Sequence, residues 1–289
     1  MTIEQRHQER RPRFGRAGNE AGALVERQAF HRVQLKSRDA RRQIVDLADM
    51  SASGDSSLVT HHSSLSKRIV AEQADELLPE YRNIISNIPP EAGYGGIWES
   101  EMFLFYATVK PFAPKQILES GRARGKSTLI LARCFPESRI VSVEYDRQSE
   151  NAPAAEAKLK NEPNVDLLYG DSREILPNRL ENGDAVLIDG PKDFRALKLA
   201  IDLLRTGKPC TVFVHDFPPN SLQRKFVERN FSAAFFGDDP IFRRFQTLDN
   251  ERDPRPNPQR RYGILACLPP PLPMSYWKLR FRLLTQRSG

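Results

Sequence analysis

The stretch Gln116–Ser127, QILESGRARGKS, combines a short apolar run with a turn and the start of a helical pattern. Ile117 and Leu118 predict a strand, and Gly121 and Gly125 follow in the turn before the helical spacing begins. Glycine in such a turn permits a tight backbone path and a close approach to a ligand, while the helix N-terminus offers free N–H groups. The stretch therefore predicts a ligand-binding strand–turn–helix unit.

A second apolar run, RIVSVEYD, ends in an acid. Glu144 lies roughly 20 residues after the turn, where a carboxylate can accept hydrogen bonds from ribose hydroxyls. Asp146, two residues further on, competes for the same role. Turn and acid together predict a cofactor that contains a nucleoside.

Further apolar runs alternate with helical patterns along the chain. The predicted strands are 116–119, 139–144, 165–169, 185–189 and 210–215, and the predicted helices are 126–134, 152–160, 194–204 and 222–230. This alternation predicts an α/β fold, a doubly wound and mostly parallel sheet with helices on both faces. Two later strand-like runs, 241–248 and 262–268, have only the polar loop DNERDPRPNPQRR between them, so they are expected to close the sheet as an antiparallel hairpin.

The rest of the chain is divided by composition. Residues 1–65 are rich in Arg, Gln, Ser and His and have no apolar period, which predicts a disordered basic arm; translation from Met50 is an alternative origin for it. Residues 66–96 have helical spacing and predict a lid or cap, and a helix is expected over 98–109. The catalytic domain is placed at 97–268, and residues 269–289 are expected to form a Pro-rich, basic tail.

Charge and cysteines limit the class of protein. The net charge of +7 comes largely from the two termini, which favours solvated tails over a nucleic-acid site. Cys134, Cys210 and Cys267 lack the spacing of a disulfide framework or a zinc site. Without a long apolar run or a secretory leader, a cytoplasmic protein with no membrane span is expected. The sequence indicates no oligomeric state.

With these motifs in order, the chain resembles the class I S-adenosylmethionine-dependent methyltransferases, in particular the catechol and caffeoyl-CoA O-methyltransferase group. The resemblance covers about 170 residues and begins with Glu119, Gly121, Gly125 and Ser127, which match the pattern E-x-G-x-x-x-G-x-S. It implies a Rossmann-like, seven-stranded fold. It also implies that the two glycines border the methionine part of the cofactor, that Glu144 holds its ribose, and that Asp171, in Gly170–Ser172, lies beside its adenine. Glu119 and Ser127 of the same motif are expected to be cofactor-binding residues as well.

The same resemblance extends to the acceptor side. Asp189 and Lys192 match a D-x-x-K motif in which the Asp binds a divalent metal and the Lys takes the proton of the acceptor hydroxyl. Asp216 follows the fifth strand at the position of the second metal-binding Asp. The resemblance therefore implies Mg²⁺ held by Asp189 and Asp216.

One position departs from the family pattern. Phe217 replaces the Asn that supplies a further ligand, so His215 or Asn220 would have to substitute for it. His215 also opens a second route, since a neutral imidazole near pH 7 can act as a general base without a metal. The sequence leaves the two routes open.

Two other readings compete with a methyltransferase. Ser120–Ser127 has the pattern S-x-x-x-x-G-K-S, which is close to the phosphate-binding loop of nucleotide-binding proteins but has Ser in place of its first Gly. A non-catalytic cofactor-binding protein of the same fold is the other alternative. A nicotinamide-dependent dehydrogenase is disfavoured because Ala123 occupies the middle glycine position of its motif.

The acceptor is the least determined part of the prediction. A hydroxyl of a small molecule or a glycan is expected. An anionic acceptor is compatible with a group of arginines near the motifs, which are Arg122, Arg124, Arg173 and Arg195.

Overall fold

The computed structural model describes residues 65–89, 96–252 and 264–285. The predicted basic arm lies outside the described residues except for Leu65, as do most of the polar loop and the last four residues. The boundaries predicted for arm, lid and tail remain predictions.

Among the described residues, seven strands form one sheet in the order β3-β2-β1-β4-β5-β7-β6. Strands β1 to β5 are mutually parallel, and β7 is inserted antiparallel between β5 and β6. The strands are β1 Gln116–Ser120, β2 Arg139–Glu144, β3 Val165–Tyr169, β4 Ala185–Ile188, β5 Thr211–Val214, β6 Phe235–Phe236 and β7 Ala266–Leu268. The predicted doubly wound, mostly parallel, seven-stranded fold is confirmed.

The helices alternate with the parallel strands as expected. They are α1 Lys67–Ser86, α2 Glu99–Val109, α3 Lys126–Cys134, α4 Ala152–Leu159, α5 Ser172–Arg179, α6 Asp193–Leu204, α7 Leu222–Asn230, α8 Thr247–Arg252 and α9 Tyr276–Thr285. Of these, α5, α8 and α9 lie where the sequence predicted no helix.

The predicted strand over 241–248 is wrong. Pro240–Gln246 is a 3-10 helix that continues into α8, and the strand that pairs with β7 is the shorter Phe235–Phe236. Phe242, Phe245 and Leu248 are buried at intervals of three residues, which is the spacing of a 3-10 helix and not the alternation of a strand.

Two apolar layers cover the sheet. Alternate residues of each strand enter opposite layers: Ile117 belongs to the layer of α1, α2 and α3, whereas Leu118 belongs to that of α5, α6, α7 and α9. Helix α1, predicted as a lid, runs through Pro79 without ending and buries Val70, Ala74 and Tyr81 against its neighbours. The Tyr81 hydroxyl donates a hydrogen bond to the Glu99 carbonyl oxygen at 3.0 Å.

The predicted C-terminal tail contains a helix that packs on the sheet domain. Leu279 and Leu283 of α9 are buried in the layer formed around α6. Within the described part of the chain, no helix combines the length and apolar character that crossing a membrane requires.

Candidate active site

The turns after β1 and β4 touch each other at the carboxyl edge of the sheet. Gly121 has φ +88°, and a Cβ built on it would lie 2.6 Å from the Gly190 backbone nitrogen. Only glycine tolerates both the backbone conformation and this approach. The contact brings the predicted cofactor turn directly beside Asp189, which begins the acceptor-side motif.

Glu119 is fully buried and serves this turn from below. Its carboxylate accepts hydrogen bonds from the hydroxyls of Ser127 (2.5 Å), Thr128 (2.5 Å) and Ser142 (2.6 Å). Burial raises its pKa. Because the carboxylate is enclosed by protein hydroxyls, Glu119 and Ser127 connect β1, α3 and β2 and do not face a ligand, contrary to the expectation that they contact the cofactor.

Glu144 borders the turn from the end of β2. Its Oε2 accepts from the Ala123 backbone N–H at 2.7 Å, and its Oε1 accepts from that of Tyr145 at 2.9 Å. The side chain is partly exposed at the sheet edge. Asp146, its competitor in the sequence, accepts from the Gln148 backbone N–H within a local turn. Of the two acids, Glu144 is the one that adjoins the glycine turn.

Asp171 follows β3 and caps α5. It accepts from the Arg173 backbone N–H at 2.9 Å and pairs with the Arg173 guanidinium, which holds the pKa of Asp171 below its ordinary value. Since Glu144 and Tyr169 are paired in register, Asp171 lies two residues past the point level with Glu144.

Four charged side chains meet past the ends of β4 and β5. Lys192 bridges Asp189 Oδ1 (2.5 Å) and Asp216 Oδ2 (2.6 Å) through its Nζ. His215 Nδ1 lies 2.7 Å from Asp189 Oδ1 and 3.3 Å from Asp216 Oδ1. The fold therefore assembles all of the predicted acceptor-side residues into one cluster.

Sequence reasoning missed a fifth member, Glu101 of α2. Its Oε2 lies 3.2 Å from His215 Nε2 and also accepts from the Trp98 backbone N–H at 2.9 Å. The only signal in the sequence was a buried-type helix carrying an acid among large apolar residues, MFLFY. An acid in such a helix requires a partner, but the sequence does not identify which one.

Charge compensation decides the protonation of this cluster. Burial alone would lower the pKa of His215, but the facing carboxylates of Glu101 and Asp189 raise it to about 10. Burial alone would also lower the pKa of Lys192, but the carboxylates of Asp189 and Asp216 raise it above its ordinary value. Both pKa shifts favour the protonated form near neutral pH, which disfavours a neutral His215; its role as a base stays a prediction.

The cluster was tested as a metal centre by its donor atoms. One ligand atom each from Asp189, His215 and Asp216 lies within 4.8 Å of the others, so these residues fit a divalent ion. Phe217 is buried in the core and Asn220 is exposed, so His215 is the substitute that reaches the cluster. An ion would have to displace the Lys192 ammonium and the His215 proton.

Two basic side chains of the loop that resembles a phosphate-binding loop do not point into the turn. Lys126 donates to Glu99 Oε2 at 2.8 Å, on α2, and not toward the turn. Arg122 is 1% exposed and donates to the Ser142 carbonyl oxygen at 2.7 Å. Because Lys126 is directed to α2 and Arg122 is buried, neither is placed as the exposed cation that binds the phosphates of a nucleoside triphosphate.

Sheet order and site together define a class: α/β proteins that bind a nucleoside cofactor at the carboxyl edge and carry a reactive cluster next to it. Residues 118–217 match a family model described as a methyltransferase domain. This match spans about a third of the chain and agrees with the methyltransferase resemblance noted in the motifs of that segment.

Part of the chain is also similar in sequence to two curated proteins. The chain is 37% identical over 90 residues to the transmembrane O-methyltransferase homologs of Mus musculus and Rattus norvegicus, covering 28% of this chain and 34% of each relative. It thus spans about a third of the length of these curated relatives.

Solved structures with a similar fold include two O-methyltransferases. That of Thermotoga maritima gives a TM-score of 0.45 at 17% identity, covering 66% of this chain and 72% of its own. That of Bacillus cereus, in complex with SAH, gives 0.39 at 18% identity, covering 69% and 91%.

Proposed function

We propose that this protein transfers the methyl group of S-adenosylmethionine to a hydroxyl of a small molecule or glycan. The observation that carries the proposal is the contact between the Gly121 turn and the Asp189 turn, which sets a cofactor site beside a charged cluster. Methyl transfer needs this juxtaposition, because the nucleophile must lie close to the methyl carbon and in line with the bond that breaks. The cofactor supplies an electrophilic methyl group.

On the cofactor side, Gly121 and Gly125 provide the backbone approach and Glu144 the ribose contact. Glu144 suits this role because its carboxylate adjoins the turn and is partly exposed. Asp171, fixed as the cap of α5, is proposed to border the adenine. Glu119 and Ser127 act by holding the turn.

On the acceptor side, the cationic Lys192 and His215 stabilise negative charge on an acceptor oxygen, while Asp189 and Asp216 keep both cations in place. Asp189, His215 and Asp216 would hold a divalent ion, which would supply a lowered pKa for a nearby hydroxyl. Lys192 would become the group that receives the hydroxyl proton once its own proton is lost.

The structure gives less support to an anionic acceptor than the sequence did, because two of the four arginines near the motifs are not free surface cations. Arg122 is 1% exposed and Arg173 is paired with Asp171, so one of the four arginines is buried and a second has a carboxylate partner. The free thiols of the three cysteines fit a reducing compartment, so the cytoplasm is the proposed location.

Cofactor binding is tested by calorimetry with S-adenosylmethionine on Glu144→Ala. Loss of charge-assisted hydrogen bonds predicts binding weaker by about 1–3 kcal/mol. Glu150→Ala, an exposed acid of the same segment, is the control. Glu144→Gln keeps an acceptor for the Ala123 N–H, so it separates loss of the ribose contact from loosening of the turn. Equal affinity in wild type and Glu144→Ala would remove Glu144 from the site.

The chemical step is tested with labelled cofactor and a panel of hydroxyl acceptors. Asp189→Ala and Asp216→Ala are expected to abolish turnover and leave cofactor affinity nearly intact. A chelator that also abolishes turnover, restored by Mg²⁺, would establish the metal route. Turnover that survives the chelator and falls in His215→Ala would assign activation to His215, with Lys192 and the carboxylates, without a metal. Cofactor binding without turnover on any acceptor would favour a non-catalytic binding protein.

A further inference from the structure

The outer face of α9 carries large apolar side chains exposed to solvent. Trp277 is 75% exposed, Phe281 68% and Leu284 56%. Since successive helical residues are rotated by roughly 100°, positions i, i+4 and i+7 fall within one narrow stripe. Three large apolar side chains on one stripe form a surface that calls for an occupant.

The opposite face fixes how this stripe is presented. Leu279 and Leu283 are buried against the α6 layer, and the Tyr276 hydroxyl donates to Asp202 Oδ1 at 2.8 Å. These contacts anchor α9, so its outward orientation is a property of the fold. The stripe cannot be buried by rotation of the helix without loss of Leu279 and Leu283 from the core.

Basic residues lie on both sides of the stripe. By helical rotation, Lys278 flanks it on one side and Arg280 on the other, and Arg282 donates to Asn230 Oδ1 at 2.5 Å. The helix contains no acidic residue, and neither does the whole segment 269–289. The charged side chains that α9 itself carries are therefore all cationic.

Charge decides which occupant fits this face. In a two-fold contact between copies of the chain, the cations beside each stripe would be brought together without acidic partners on the helix, which is unfavourable. An anionic lipid surface meets both requirements at once, because its acyl boundary takes apolar side chains and its phosphates attract Lys and Arg.

We infer that α9 docks the protein on an anionic membrane surface, with Trp277, Phe281 and Leu284 entering the lipid interface and Lys278 and Arg280 against the phosphates. The helix lies in the plane of the interface and does not cross it. Such an attachment is reversible and depends on salt, since three apolar residues and two cations provide a modest hold.

Trp277 provides a local probe, because the full chain contains only two tryptophans. In the Trp98→Phe protein, the emission of Trp277 is expected to shift to shorter wavelength with vesicles of phosphatidylcholine and phosphatidylglycerol. Vesicles of phosphatidylcholine alone should give little shift, and salt should reverse it. An unchanged Trp277 emission with anionic vesicles would overturn the inference, even if the protein bound them through another basic segment.

Co-sedimentation of the full chain gives the second test. The double variant Trp277→Glu/Phe281→Glu is expected to partition onto anionic vesicles at least about tenfold more weakly. The reason is that two aromatic side chains no longer enter the lipid interface. Leu222→Glu, at an apolar position 52% exposed on α7, should bind like wild type. Undiminished sedimentation of the double variant would overturn the inference. So would a dimer in light scattering that the double variant abolishes, because the occupant would then be a second copy.

Discussion

Gly121 concentrates the requirements of the site in one residue. A residue with a side chain would have to keep the backbone angle φ at +88°, and its Cβ would lie 2.6 Å from the Gly190 backbone nitrogen. We expect Gly121→Ala to destabilise the protein by about 2–4 kcal/mol, the sum of left-handed strain and overpacking, and to abolish cofactor binding. Thermal denaturation and calorimetry measure the two effects.

Gly183 offers a matched control for this prediction. Its φ of +86° is nearly the same, but a Cβ there would have nothing within 4 Å. Gly183→Ala should therefore show only the strain, about 1–2 kcal/mol, with cofactor affinity retained. If the two variants behave alike, the contact between the turns has no energetic role.

At this scale the sequence could locate residues but not their surroundings. Gly121, Gly125 and Glu144 follow from local spacing, and the fold brings them together. Glu119 belonged to the same motif, but its enclosure by three hydroxyls depends on residues of α3 and β2. Glu101 was missed because its partner is 114 positions away.

At the scale of elements, the Glu101–His215 contact joins α2 to the end of β5. Because the pKa of His215 is raised to about 10, its charged form stabilises the fold. This contribution is complete below the ordinary imidazole pKa near 6.5 and is lost as pH rises toward 10. We expect the melting temperature of the metal-free protein to fall across that interval.

Glu101→Gln should shift that loss to lower pH, since one of the two carboxylates facing His215 is removed. Titration of the His215 ring by nuclear magnetic resonance measures the change directly. Glu99→Gln is the control, as Glu99 is also a buried acid of α2 but pairs with Lys126. An identical His215 pKa in wild type and Glu101→Gln would contradict the assigned cause.

Elements with a clear period were predictable, and those without one were not. Strands β1 to β5 lie within one or two residues of their predicted limits because each contains a short apolar run. Helix α5 is short, polar and contains Pro177, so its hydrophobic spacing is weak. The run 241–248 was misread because apolar spacing in a short segment fits more than one structure.

At the scale of the whole molecule, α1 belongs to the folded unit. Val70 and Tyr81 are fully buried. We expect deletion of residues 1–64 to change stability by less than about 0.5 kcal/mol, whereas deletion through Ser86 should prevent folding by exposing a core face. Limited proteolysis should leave a core that begins between Ser51 and Ser66. Unfolding of the 65–289 protein would refute this boundary.

The contact between Glu101 and His215 also affects which segment of the chain can be exchanged as a unit in recombination. The segment 118–217 matches the family model, yet the carboxylate facing His215 Nε2 comes from α2, before it, and β7 comes from after it. Transfer of segment 118–217 alone into another chain would carry the predicted cofactor turn. It would leave behind α2, whose Glu101 raises the pKa of His215. The heritable module is therefore wider than the segment that matches the family model, and chimeras joined within 110–117 should bind cofactor more readily than they turn it over.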